Sequence, residues 1–205
     1  MSVRKPFFKD IFGKNWDSLP TVFRVHYANC PWHDDIVRVS GIMSVWQSPL
    51  IRPLEFLFRW TKTLIPVSAD QLVARVSFRT KSDRPYFWYD RTILLNDSTE
   101  MKFSSYVETV EGNQVIEWTG LGVGWHSSYS FENGRIHLQH LGYRLRIGRV
   151  DLPLPVSWLI GKPAAWEEAV SETSFRMEMV IRHPIFGRIY SYSGQFEIEE
   201  IELAE

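Results

Sequence analysis

Only one cysteine, Cys30, occurs in 205 residues, so no internal disulfide can form and a reducing, cytoplasmic setting is expected. Net charge is also lacking: 23 Lys and Arg stand against 24 Asp and Glu. That balance removes any chain-wide attraction to nucleic acid or acidic lipid, so no nucleic-acid partner is expected. No apolar run reaches the ~18 residues a spanning helix needs, so no transmembrane segment is expected. The first residues, Met1 to Asp10, are broken by charge and Pro6 before an apolar signal core can form, and no secretion signal is expected. A Gly-rich phosphate loop, a dinucleotide fingerprint and a Gly-x-Ser-x-Gly elbow are all missing, and no cofactor is expected.

Large aromatic residues are plentiful instead. Nine tryptophans can fill a wide sheet interior or line an apolar pocket, with packing the commoner use. A chain of this length buries its apolar residues around one core, which predicts a single domain over 1–205.

Phe7, Phe8, Ile11 and Phe12 before Gly13, then Leu19, Val22, Phe23 and His26 around Pro20, predict short N-terminal helices packed on something flat. Residues 36 to 47 read as a strand with a bulge at Gly41. Pro49, Pro53 and Pro66 bound a covering helix near 50–64. Leu54, Leu57, Phe58 and Leu64 form its apolar face, and Arg52, Glu55, Arg59 and Lys62 the opposite one. Phe56 and Trp60 on the exposed side hint at a membrane-surface helix, set against the commoner role of covering a sheet.

From residue 70 onward the period is two: Leu72, Ala74, Val76 and Phe78 alternate with Gln71, Arg75, Ser77 and Arg79. Turn residues recur at 81–85, 96–98, 111–113 and 132–134, and Asn133-Gly134 suits a type I′ hairpin. Strands are expected near 70–80, 86–95, 100–110, 114–119, 122–131, 135–148, 170–182 and 188–200. Such a mainly β antiparallel meander protects its edges best as a barrel or strongly curved half-barrel. The sharpest candidate boundary is the Pro-rich stretch from Asp151 to Pro163.

Several polar groups have structural as well as chemical readings. His137 and His140, three apart on a strand, point to opposite faces and make a poor metal pair. His33, Asp34 and Asp35 suit solvated loop chemistry better than a cation site, and Cys30 lacks a resolving thiol. Arg135, Arg144, Arg146 and Arg149 form a basic strand for which Glu197, Glu199, Glu200 and Glu202 offer a simple partner, a phosphate or lipid head group being the alternative. Arg91 shares its side of a strand with Phe87, Tyr89, Ile93 and Leu95. An inward guanidinium costs several kcal/mol without a carboxylate, and Glu117, on the side of Val115 and Thr119, is the natural partner. A buried structural ion pair, or a twisted strand that exposes both groups, is the plainer explanation.

The order of Leu19-Pro20 with His26, the strand around Arg91, Glu117 before Gly120, Asp151-Leu152-Pro153-Leu154-Pro155, Ala165 with Glu167 or Glu168, His183-Pro184-Ile185-Phe186-Gly187 and Tyr192-Ser193-Gly194 resembles the domain of unknown function 4166 family. The resemblance implies no known activity. It does imply that such domains occur fused behind nucleotide-binding oxidoreductase domains of the saccharopine dehydrogenase type. Its matching polar positions are His26, Arg91, Glu117 and Glu168.

The leading expectation is therefore a binding module. Its interior, lined by Trp88, Trp118 and Trp125, would take an apolar small molecule or lipid whose polar end Arg91 and Glu117 orient. An enzyme with His26 as general base and Arg91 stabilising a developing anion, or a partner of a separate oxidoreductase chain docking through the 50–64 helix or Trp60, are the alternatives.

Overall fold

Alternation governs the chain from Ile36 onward and yields eleven strands: β1 (Ile36–Gln47), β2 (Ala69–Lys81), β3 (Arg84–Leu94), β4 (Glu100–Thr109), β5 (Gln114–Trp118), β6 (Val123–Glu132), β7 (Arg135–Ile147), β8 (Val150–Leu154), β9 (Lys162–Ala169), β10 (Ser174–His183) and β11 (Gly187–Glu202). The computed structural model describes residues 4–61, 63–95 and 99–204, without the side chains of Leu57, Trp60 and Thr61. The expected turn at Asn96-Asp97-Ser98, and the roles expected of Leu57, Trp60 and Lys62, lie outside the described residues.

Successive strands pair antiparallel, except that β9 pairs with β7 rather than β8, and β11 returns to pair with β1. All but β8 thus form a closed ten-stranded barrel, the closure running through the β6–β7 and β7–β9 pairings. Closure removes the sheet edges that a half-barrel would leave open. The meander expected from the turn spacing is present, and at Asn133-Gly134 both φ angles are positive, 52° and 78°, as a type I′ turn requires.

Three expectations need correction. Gly41 is not a bulge: the register of β1 shifts at Arg38/Val39 and Met43/Val45 instead. The glycine serves close approach, since a Cβ there would lie 2.1 Å from the Gln195 carbonyl oxygen. The Pro-rich stretch from Asp151 to Pro163, for which no strand is expected, holds β8, a short helix (Ser157–Ile160) and the start of β9. Lys162-Pro163-Ala164-Ala165 lacks the β-branched and aromatic alternation that reveals other strands. Third, the covering helix is broken into a 3-10 turn, Pro49–Leu54, and a helix Glu55–Thr61. Pro53 lies inside that turn and has no N–H to continue an α-helical ladder. Leu54 accordingly faces solvent, while Ile51 is buried and Phe58 packs on the core.

Strand direction fixes two ends. The hairpins at 82–83, 110–113, 133–134 and 170–173 mark a lower end, and the remaining connections an upper one. The N-terminal helices, Lys9–Phe12 and Thr21–His26, do not lie on a flat sheet face. They fill the lower end of the lumen: Phe8 stands 5.0 Å from Phe87 and 5.3 Å from Tyr129, and Phe23 6.0 Å from Phe175, all inner-face rings. Asp35, fully buried, latches this plug by accepting from Arg4 at 2.8 Å, Cys30 N at 2.7 Å and Ala204 N at 2.8 Å. At the upper end, Gln47 Nε2 donates to the Ile65 carbonyl, and the Tyr190 hydroxyl accepts from Ile65 N–H and donates to the same carbonyl.

Candidate functional site

Period two places Phe87, Tyr89, Arg91 and Ile93 on the inner face of β3, Phe103 and Ser105 on that of β4, and Val115 and Glu117 on that of β5. Arg91 and Glu117 therefore meet inside the barrel, Nη2 to Oε1 at 2.8 Å. Ser105 completes the triangle: its hydroxyl accepts from Arg91 Nη1 at 2.7 Å and donates to Glu117. The guanidinium also lies 4.7 Å from the Tyr89 ring and 5.5 Å from the Phe103 ring. Burial alone would lower the Arg91 pKa, but Glu117 and the surrounding tyrosines outweigh it and leave it raised.

These groups are not fully covered by their neighbours. The side chains of Arg91 and Glu117 keep 22% and 19% exposure although both point into the lumen, so open space adjoins them there. Phe103, Trp125, Leu138, Met177 and Tyr192, inner-face residues of five strands, are likewise only partly covered. At the upper mouth, a recess of about 380 Å³ is lined by Arg59, Leu95, Met101 and Lys102 among others. Met101 lies two residues from Phe103 on the same inner face.

A second carboxylate enters from β9. Glu167 faces inward opposite Met177, accepts a 2.7 Å hydrogen bond from the Tyr27 hydroxyl and has no cationic partner among the described residues. Burial pushes its carboxyl up to about 7, a shift the Tyr27 bond only partly offsets. The Tyr192 hydroxyl, without a hydrogen-bond partner among the described residues, is pushed up to about 12 by burial. The Arg91 charge opposes that shift, while Glu117 and Glu167 both add to it. Both carboxylates act on Tyr89 and Tyr129 as well. One lumenal cluster thus holds a neutralised arginine, a carboxyl that is half protonated near neutrality and several tyrosines.

The other expected site residues are elsewhere. His26 sits in the plug, 4.2 Å from the Phe78 ring and 4.8 Å from that of Phe175, with Nδ1 unpartnered. Burial holds its pKa down to about 3, so it is neutral, and no hydrogen bond joins it to Arg91. Glu168 lies on the outer face, paired with Arg135 at 3.2 Å and with Arg176. Trp88 and Trp118 also point outward, being odd neighbours of inward residues. Trp88 stacks near Tyr106 and Lys81, and Trp118 lies beneath Arg146 and donates to Glu108 at 2.9 Å. Only Trp125 of the three faces the lumen, opposite Glu117.

Gly124 makes room for Trp118, because a Cβ there would stand 2.7 Å from its ring. Gly124→Ala should therefore cost about 1–3 kcal/mol, read from the urea midpoint; an unchanged midpoint would mean the outer tryptophan can yield. His137 and His140 occupy opposite faces, and His140 bonds Ser157 at 2.9 Å. The basic strand does not meet the acidic C-terminus: Arg146 pairs with Glu108 and Asp151 at the upper end, whereas Glu200 and Glu202 hold Arg38 at the lower.

Residues 19–196 match the model of the family described as a domain of unknown function, DUF4166. No curated protein matches. Among solved structures, the dehydratase domain of the polyketide PpsC from Mycobacterium tuberculosis is similar at 8% identity over 87% of this chain and 80% of that one. Its TM-score is 0.21, too low to carry fold or activity across.

Proposed function

The chain belongs to the DUF4166 family, whose description assigns no activity, and from the site itself we propose that the barrel is a binding module for a neutral amphiphile. The observation that carries this reading is the partly exposed Arg91–Glu117 pair directed into the lumen. Space beside an inward ion pair is where the polar end of a ligand would stand. Phe103, Leu138, Met177 and Trp125 would take the apolar body, and Arg91 with the unpartnered Tyr192 hydroxyl would donate to an oxygen on the head. Charge favours a neutral head: Glu117 already balances Arg91, and Glu167 adds only negative charge. A hydroxyl, ester or ketone meets the donors without burying a further ion.

Native mass spectrometry of protein purified without detergent tests the reading. The expected result is a co-purifying mass lost in Leu138→Trp, which fills the lumen. An unliganded wild-type protein that also fails to displace a fluorescent amphiphile would remove it.

A further inference from the structure

Large apolar side chains in solvent gather at one end of the barrel. The upper connections carry Phe56 (70% exposed), Leu121 (60%), Trp158 (69%), Leu159 (58%), Ile185 (80%) and Phe186 (57%). The lower end carries fewer and smaller ones apart from Trp32 (58%): Val110, Val170, Ile201 and Leu203, each near half exposure. Apolar groups gathered in this way mark a surface that is covered in use.

Charge divides along the same axis. Arg52, Arg149, Lys162, Arg182 and Arg188 are exposed at or near the upper connections, and none forms an ion pair with a described carboxylate. Away from that end, Arg4, Arg38, Arg79, Arg84, Arg135 and Arg176 have such partners, although Lys9, Lys14 and Arg24 of the plug do not. The near-zero net charge of the chain therefore conceals an apolar, basic end and an acidic opposite one carrying Glu197, Glu199, Glu200 and Glu202.

We propose that the upper end docks on a bilayer surface containing anionic lipids. Trp158, Leu159, Phe56, Ile185 and Phe186 enter the boundary between head groups and acyl chains, and the free cations face lipid phosphates. A second copy docked end to end would set the same cations against one another, whereas an anionic surface complements them. Contact is shallow, because the outer wall carries Arg75, Glu108, Arg135 and Glu178, which acyl chains would not accept. The lip bearing Trp158 occupies the place where β7 leaves β9 to pair with β8, and its Ser157 and Gly161 are tied to His140 and Tyr143 of β7. This docking goes beyond the lumenal reading and does not depend on it, although it would set the barrel mouth against a source of amphiphiles.

Co-sedimentation with phosphatidylcholine vesicles, with and without phosphatidylserine, tests the proposal. The wild-type protein should bind the phosphatidylserine vesicles and be released by high salt. Trp158→Ser with Ile185→Ser, at positions that bury almost nothing, should keep the wild-type melting temperature and bind about tenfold more weakly. Lys162→Gln and Arg182→Gln should each weaken binding roughly fivefold. A wild-type protein that ignores anionic vesicles, or rim variants that bind as it does, would overturn the proposal. So would a wild-type dimer on gel filtration that the rim variants convert to monomer, since the rim would then join two copies. A variant altered only in the lumen, Arg91→Met with Glu117→Leu, should sediment with vesicles like the wild type, which separates failed docking from an empty barrel.

Discussion

Glu167→Gln is expected to be more stable than the wild-type protein above neutral pH and to lose stability steadily as the solution is acidified. The carboxyl of Glu167 is raised from 4.5 to about 7 in the folded state. Between those values the folded chain holds a proton that the unfolded chain has released, so this group makes stability fall as pH rises through the window. His26 acts with the opposite sign. Its pKa is lowered from 6.5 to about 3, so below 6.5 the unfolded chain binds a proton that the folded chain refuses, and stability falls on acidification. Between 4.5 and 6.5 the two slopes oppose each other, and their contributions to the wild-type profile nearly cancel.

Removing either group unmasks the other. Glu167→Gln should gain about 3 kcal/mol near pH 8, and then lose about 3 kcal/mol between pH 6.5 and 4.5, at roughly 1.4 kcal/mol per pH unit. His26→Phe, which keeps a ring between Phe78 and Phe175, should instead gain about 3 kcal/mol as pH falls from 7 to 4.5. Urea unfolding across that range reads both. Two variants with profiles parallel to the wild type would show that neither group is buried in the ionisation state described.

Breaking the Arg91–Glu117 pair from one side should cost far more than replacing it whole. Glu117→Ala leaves a guanidinium facing Tyr89 and Phe103 with only Ser105 to accept from it. The loss should be about 3 kcal/mol, the low end for a buried pair because both side chains retain some exposure. Arg91→Met with Glu117→Leu exchanges two desolvated ions for apolar groups of similar size. Its stability should lie within about 1 kcal/mol of the wild type. Equal losses in the single and double variants would mean that the pair holds the wall rather than lining a site.

Period two made much of this legible. Alternation through Tyr89, Arg91 and Ile93, and through Val115 and Glu117, is enough to direct Arg91 and Glu117 inward and to name them partners. The same rule sends Trp88 and Trp118 outward, since each adjoins an inward residue; grouping them with the lumen followed their bulk rather than their parity. Glu167 was hidden for a different reason. Its strand begins Lys162-Pro163-Ala164-Ala165, where no alternation distinguishes a strand from a loop. Without β9, nothing separates the inward Glu167 from the outward Glu168, although the choice decides which carboxylate lies in the lumen. The plug was visible as helical spacing, but its insertion among Phe87, Tyr129 and Phe175 depends on contacts distant in sequence. Barrel closure is similar: the turns announce a meander, whereas only the pairing of β1 with β11 makes it a closed wall.

The central claim is that the lumen receives a neutral amphiphile at Arg91 and Glu117, and its most direct test is a fluorescence titration with a dansyl-labelled fatty alcohol. The wild-type protein should bind one equivalent, and prefer the alcohol to the matching fatty carboxylate. The folded Arg91→Met/Glu117→Leu variant should bind the alcohol at least about tenfold more weakly, the loss of roughly one charge-assisted hydrogen bond. Absence of saturable binding to the wild type, or identical affinities in the two proteins, would contradict the claim.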